Sequence, residues 1–287
     1  MNDAPLSEWV CFDDAIRSVW RYPGGEVGVR AIAPAPERLL ARIHHSEELL
    51  ALLMYLGAVK GQVRQVVIPY LPYARQDRVA VPGDPVAIEV LAALLVSSGV
   101  REYATVDAHS PAAAAAFARL GATLTDLPAA PWLERYVAAL HTRTAQSVWF
   151  VAPDKGARSR TAAAAAALSR PDRRIGLIYA EKRRDPHTGA LMGFGIAEDS
   201  PAALGSDPLV VIVDDICDGG GTFLGVATAL VERYGPIPLH LWTTHGIHSK
   251  GLDALTQTYA TLGCTDSFRS GHDHPALHRV PLQESCA

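Results

Sequence analysis

The residues with the clearest chemical potential lie in "LVVIVDDICDGGGTF", Leu209 to Phe223. Asp214 and Asp215 are adjacent carboxylates, Asp218 is a third acid, and Gly219, Gly220 and Gly221 lead into Thr222. Glycines let a backbone approach a ligand closely and present its N–H groups, and Thr222 can add a hydroxyl donor. Carboxylates repel a phosphate but accept hydrogen bonds from sugar hydroxyls. A sugar phosphate would satisfy both ends, its diol on Asp214 and Asp215 and its phosphate on the glycines. The plainer alternative is an acid-rich turn around a stray cation. The spacing D-D-x-x-D-G-G-G does not fit an EF-hand loop.

The elements on either side must position these groups. "LVVIV" reads as a strand buried on both faces. "TFLGVATALVERYG" has helical spacing. The loop thus falls at the carboxyl end of a strand and at a helix N-terminus, where open α/β sheets place ligands and where the backbone favours phosphate. Similar alternation runs along the whole chain. In the N-terminal half, "VGVRAI", "RQVVIPY" and "EYATVDA" read as strands. Helices are expected over Leu49–Val59, with Ser46 as N-cap, over "DPVAIEVLAALLVSSG", and over "SPAAAAAFARLG", capped by Ser110 and stopped by Gly121. A proline-containing polar region, "TDLPAAPWLERY", precedes an expected linker, "LHTRTAQS", over 140–147. The pattern restarts with strand "VWFVAP", helix "SRTAAAAAALSR", strands "RIGLIYAEK" and "LVVIVDD", the helix above and strand "LHLWTTHG". These elements predict an α/β protein of two tandem domains, 1–145 and 146–287, each a mainly parallel sheet flanked by helices.

Composition narrows the function classes. The 287 residues are 49% hydrophobic and 20% charged, with a formal net charge of −4. No global basic surface exists to attract nucleic acid. The longest apolar run, Leu49–Val59, is too short to span a bilayer, and "MNDAPLSEWVCFDD" lacks the apolar core of a signal peptide. The four cysteines show neither a CxxC pair nor zinc-ligand spacing. A cytoplasmic protein without nucleic-acid or membrane partners is expected.

The glycine loop resembles that shared by phosphoribosyltransferases and PRPP synthetases (ribose-phosphate pyrophosphokinases). Further motifs separate the two. "IPYLPYARQDR", Ile68 to Arg78, resembles the ATP-binding motif of PRPP synthetases. "VDAHS", "APDKGARSR", "EKRR", "THGIHSKG" and "YPGGEVGVR" resemble five other elements of that family, across both halves. The resemblance implies two tandem phosphoribosyltransferase-like domains. It also implies a Mg-dependent transfer of the β,γ-diphosphate of ATP to the 1-hydroxyl of ribose 5-phosphate, releasing AMP. A homo-oligomer, dimer or hexamer, is implied, in which the "YPGGE" element of a neighbour helps hold adenine.

Site residues follow by motif position. Tyr22, Glu26, Arg75, Gln76 and Asp77 are implied to bind ATP. His109 and Asp154 are implied at the metal, although a strand-end Asp can equally cap the next helix. Lys182 and Arg184 are implied catalytic residues, because attack at the β-phosphorus builds negative charge that fixed cations stabilise. The segment "DPHTGALMG" after them reads as a lid. Asp214, Asp215, Asp218, Gly219, Gly220, Gly221 and Thr222 are implied to bind the ribose phosphate. Two departures stand out. Gly219 occupies a position where the family ordinarily has threonine, and Gly24 one where it has Asp or Asn. A loop opened at Gly219 could accept a substituted phosphate, so ADP-ribose stands beside ribose 5-phosphate as the acceptor. A non-catalytic, synthetase-associated regulatory protein is the alternative of another class.

Overall fold

The computed structural model describes residues 9–140, 147–184 and 191–283; the side chains at 183, 184 and 191 fall outside that description. Contacts divide the chain into two compact units. One runs up to Pro128 and takes in Leu282 and Gln283; the other is Ala129–Pro281.

The first unit contains β1 (Val10–Cys11), α1 (Phe12–Ala15), β2 (Ile16–Arg21), β3 (Val27–Ala31), β4 (Arg38–Leu40), α2 (Ser46–Val59), β5 (Gln65–Val67), α3 (Ala87–Ser97), β6 (Glu102–Val106), α4 (Ala112–Arg119) and β7 (Thr123–Leu127). Strands in the order β1-β4-β5-β6-β7 form a sheet in which every pairing is parallel. β2 and β3 make a separate antiparallel ribbon. Helix α2 buries Leu49, Leu52, Tyr55, Leu56 and Val59, a stripe at three- and four-residue spacing. Its N-cap is His45 rather than Ser46, and the Glu48 carboxylate accepts the His45 N–H at 3.0 Å. Fully burying a leucine such as Leu52 or Leu91 contributes roughly 1.5–3 kcal/mol. Helix α4 also starts later than expected. Pro111 is its N-cap and Ser110 makes no cap, because its hydroxyl is used elsewhere.

The second unit contains α5 (Ala130–Leu140), β8 (Ser147–Ala152), α6 (Arg158–Leu168), β9 (Ile175–Arg184), β10 (Leu191–Ile196), β11 (Pro208–Cys217), α7 (Gly221–Tyr234), β12 (Leu239–Gly246), α8 (Asp253–Thr258), β13 (Thr261–Thr265) and β14 (Leu277–Val280). The strand order is β10-β9-β8-β11-β12-β13-β14. All pairings are parallel except β10, which runs antiparallel on β9. β11 lies between β8 and β12, which explains why Leu209 to Val213 are buried without alternation.

The region read as the approach to a linker is instead helix α5. It buries Trp132, Leu133, Tyr136 and Val137, and Tyr136 packs its ring 5.4 Å from that of Trp242. The units therefore divide after Pro128, ahead of α5, rather than at 145/146. Residues 141–146 of the expected linker lie outside the described residues. Among the described residues, no helix is long and apolar enough to cross a membrane.

Candidate active site

In the second unit, the acids and glycines sit as the pattern predicts, at the carboxyl end of β11 and the start of α7. Gly220 is the N-cap, with φ of 77°, and a Cβ there would come within 3.2 Å of Leu255. Both facts demand glycine. Thr222 is half-buried in the first turn of α7. Asp215 is buried and Asp214 nearly so, with side chains 5% and 16% exposed. Arg160, from α6, reaches both, 3.5 Å from Asp214 and 3.4 Å from Asp215. Burial and the neighbouring charge of Asp215 push the Asp214 carboxyl well above the usual range, against the pull of Arg160. Arg160 thus compensates only part of the charge of the pair. Arg160 was not legible as a site residue; at the head of an alanine-rich helix it resembles any solvated arginine.

Asp218 is exposed and accepts from the Ser249 hydroxyl at 2.5 Å. Ser249 belongs to the segment after β12, which is tied to the loop at a second point. The N–H groups of Ile247 and His248 both donate to the Cys217 carbonyl, at 2.9 and 3.0 Å. This segment also lines Gly219. A Cβ at Gly219 would lie 3.4 Å from both Cδ and Cε of Lys250. The opening expected from glycine at that position is therefore walled by the lysine stem.

Asp154 and Lys182, expected in separate roles, are paired with each other. Lys182 Nζ donates to Asp154 Oδ2 at 2.8 Å. Asp154 Oδ1 accepts the N–H groups of Gly156 and Ala157, at 2.9 and 3.2 Å, just before α6. Burial would raise the Asp154 pKa, but the Lys182 hydrogen bond and charge, with these N–H groups, hold it below the ordinary value. The strand end carrying Lys182 is steadied next door. Arg158 donates to Glu181 at 2.7 Å and lies 4.4 Å over the Tyr179 ring. Lys182 is in register with Phe194 of β10, whose ring occupies the space left by Gly225 of α7. The Lys182 hairpin and the glycine-loop helix therefore share a packing contact. Arg184 ends β9 opposite Leu191; its side chain lies outside the described residues. Of the expected lid, 185–190 lies outside them too, whereas Leu191, Met192 and Gly193 belong to β10.

In the first unit, the segment from Ile68 to Arg78 follows β5 and is pinned along β6. Ile68 N–H donates to the Ala104 carbonyl at 2.8 Å, and the Pro69 carbonyl accepts from Val106 N–H and the Thr105 hydroxyl, both at 3.1 Å. Tyr73, with φ of 62°, turns the chain and leaves Arg75 and Gln76 exposed. Asp77 accepts from the Ser110 hydroxyl at 2.7 Å. His109, exposed, precedes Ser110, so the motif and the His109 loop are joined directly. Tyr22 and Glu26 close the β2–β3 ribbon, with Tyr22 N–H donating to the Glu26 carbonyl at 2.8 Å. The Glu26 carboxylate lies over Gly24, 2.6 Å from where a Cβ would be. Asp or Asn at position 24 would displace Glu26.

Among the described residues, no three His, Cys, Asp or Glu side chains converge as a metal site. Magnesium carried by a nucleotide does not depend on such a cluster. Mg binds one or two protein carboxylates and fills its shell with water and phosphate oxygens, where zinc would need a full protein set. Asp154, with its pKa held low, is a suitable single donor.

Comparison with known proteins agrees with this architecture. The family described as "N-terminal domain of ribose phosphate pyrophosphokinase" matches residues 40–99, and that described as "Phosphoribosyl transferase domain" matches 128–274. The ribose-phosphate pyrophosphokinase of Granulibacter bethesdensis is 33% identical over 229 residues, covering 78% of this chain and 68% of that protein. The ribose-phosphate pyrophosphokinase 2 of Archaeoglobus fulgidus is 34% identical over 218 residues, covering 75% and 69%. A crystal structure of phosphoribosylpyrophosphate synthetase from Mycobacterium smegmatis superposes with a TM-score of 0.74, at 19% identity, over 92% of this chain and 85% of that one, and so shares its fold. With two-thirds of two such relatives matched at over 30% identity, and both families in chain order, this chain belongs to the ribose-phosphate pyrophosphokinase family of enzymes.

Proposed function

We propose that the protein transfers the β,γ-diphosphate of ATP to the 1-hydroxyl of ribose 5-phosphate, forming PRPP and releasing AMP. The observation that carries this reading is the Asp77–Ser110 joint of the first unit, which holds the Arg75–Gln76 segment to the His109 loop. A phosphoribosyltransferase that consumes PRPP needs the glycine loop but has no use for that nucleotide segment. The names of the curated relatives support the same reading.

The residues divide the work by charge. Arg75, Gln76 and Asp77 serve the nucleotide, Arg75 by pairing with phosphate oxygens. Asp214 and Asp215 accept from the ribose hydroxyls and orient the sugar. The glycine-loop N–H groups, Thr222 and the α7 terminus hold the 5-phosphate. Lys182 and Arg184 stabilise charge that grows on the transferring group and on departing AMP. Mg, when bound with ATP, supplies further charge neutralisation, with His109 as the first unit's candidate donor and Asp154 as the second unit's. We take the enzyme to be cytoplasmic and a homo-oligomer, dimer or hexamer. The half-exposed Tyr22 at the ribbon turn is available to a neighbouring copy.

The test is AMP release from Mg-ATP with ribose 5-phosphate or ADP-ribose as acceptor. Turnover with ribose 5-phosphate is expected, and light-scattering mass above that of one chain. Turnover with ADP-ribose alone would overturn the acceptor. No AMP with either, from a protein that assembles with an active synthetase, would replace catalysis by a regulatory role.

A further inference from the structure

The glycine loop is surrounded by acids, yet it is read as the seat of a doubly charged phosphate. Asp214, Asp215 and Asp218 all lie within it or immediately before it. The nearby cation Arg160 is already engaged with the first two. Backbone N–H groups carry only partial charge, so a further full cation at the mouth would decide how well a dianion competes with the acids.

Lys250 is placed for that role. Its Cδ and Cε lie 3.4 Å from the Cβ position of Gly219. The ammonium is one bond beyond Cε, so it lies no more than about 5 Å from that position. Among the described residues Lys250 is in no ion pair, and it is exposed. Its backbone is fixed independently. Ile247 and His248 donate to the Cys217 carbonyl, Ser249 donates to Asp218, and Gly251 N–H donates to the His248 carbonyl at 2.8 Å. Glycine at 219 leaves the surface on which the apolar stem lies, with the charged head kept in water.

We propose that Lys250 is a specificity-determining residue that anchors the terminal phosphate of the acceptor, and that Gly219 and Lys250 work as a pair. This rests on the sugar-phosphate reading of the loop. A terminal monophosphate gathers close to two negative charges on one phosphorus near neutral pH, whereas each phosphorus of a diphosphate bridge carries one, so the ammonium meets more charge on an acceptor ending in a free monophosphate. The pair thus selects ribose 5-phosphate over an acceptor substituted at that phosphate.

The experiment compares wild type with Lys250→Met, Lys250→Arg and Gly219→Thr, and Gly219→Thr combined with Lys250→Met. Steady-state AMP release and equilibrium dialysis of labelled ribose 5-phosphate are both measured. Lys250→Met should raise KM and Kd for ribose 5-phosphate by about tenfold and flatten their salt dependence, with the KM for ATP unchanged. Lys250→Arg should restore most of the loss, since charge and not length is at issue. Gly219→Thr should weaken binding in wild type but add little to Lys250→Met, because the stem it disturbs is already uncharged at its end. Binding of ribose 5-phosphate within twofold of wild type in Lys250→Met would overturn the assignment. Absence of AMP release in every protein, with the binding differences intact, would overturn the reaction reading and leave the lysine assigned.

Discussion

In the second unit the acids we propose for the sugar, Asp214 and Asp215, are largely buried, and Arg160 is their internal counter-charge. In the first unit the groups we propose for the nucleotide, Arg75 and Gln76, are exposed, and the neighbouring Asp77 joins their segment to the Ser110 hydroxyl. The contrast follows from the ligands. A diol is neutral and can be received by a desolvated carboxylate pair whose charge is partly balanced within the protein. A triphosphate needs full cations, which are best left in water until it arrives. Substitutions in the second unit should therefore exchange stability against function, whereas those in the first should alter function alone.

The largest expected effect concerns Lys182. Lys182→Ala should lower kcat about 100- to 1000-fold while ATP affinity changes much less, as measured by single-turnover kinetics and nucleotide titration. Equal losses in both would make Lys182 a ground-state binder and remove it from the catalytic set. Asp214→Asn sharpens the comparison directly. It should reduce kcat/KM for ribose 5-phosphate about 100-fold and yet raise Tm by about 3 °C at neutral pH. The sign follows from the raised pKa. Below the ordinary carboxylate range the group is protonated folded or unfolded, and its ionisation costs nothing. As pH climbs above that range the unfolded chain ionises first, so wild-type stability falls until the folded group ionises too. The advantage of Asn should grow across that window and then level off; an unchanged or lowered Tm at neutral pH would break the contrast. Ser110→Ala should raise the KM for ATP by about tenfold, leave that for ribose 5-phosphate unaltered and scarcely move Tm. A loss of several degrees would show the first-unit joint to be structural.

The smallest effect lies in the acid limb of stability. Burial, with the charges of His272 and Arg279 nearby, lowers the His248 pKa to about 4; burial and His278 lower that of His240 to about 4. Each depressed group is neutral in the folded protein above that value. As pH falls below the ordinary 6.5 the unfolded chain gains protons first, so stability declines between about 6.5 and 4. Urea midpoints across that range should show it, with a weaker slope in His240→Gln.

The glycine loop was legible in the sequence because each of its properties is local: a continuous apolar strand, acids at its end, glycine at a left-handed position, helical spacing beyond. Arg160 and Lys250 were not, since what qualifies them is the distance to residues 54 and 31 positions away, and nothing in "RSRTAAAA" or "HSKG" encodes that. Helix α5 was hidden by the prolines of "DLPAAPWLERY", which signal turns although Pro131 lies in the first turn, where its missing N–H is harmless. β10 went unread because "LMGFGI" is interrupted by glycines, and a strand paired antiparallel at an edge needs less β-branched character. Ser110 shows the same limit from the other side. Its position before an alanine run predicted a cap, and a tertiary partner, Asp77, outcompeted the local one.

The Cys217 carbonyl, which accepts from both Ile247 and His248, has a practical corollary for anyone who would re-engineer the acceptor. The glycine turn is not a modular cassette. Grafting Asp214–Thr222 onto a related scaffold would carry only one of two interlocked halves, and the recipient's own residues after its equivalent of β12 would dictate what the mouth admits. Libraries aimed at new acceptors should accordingly vary 218–222 and 247–251 together, as one inherited block.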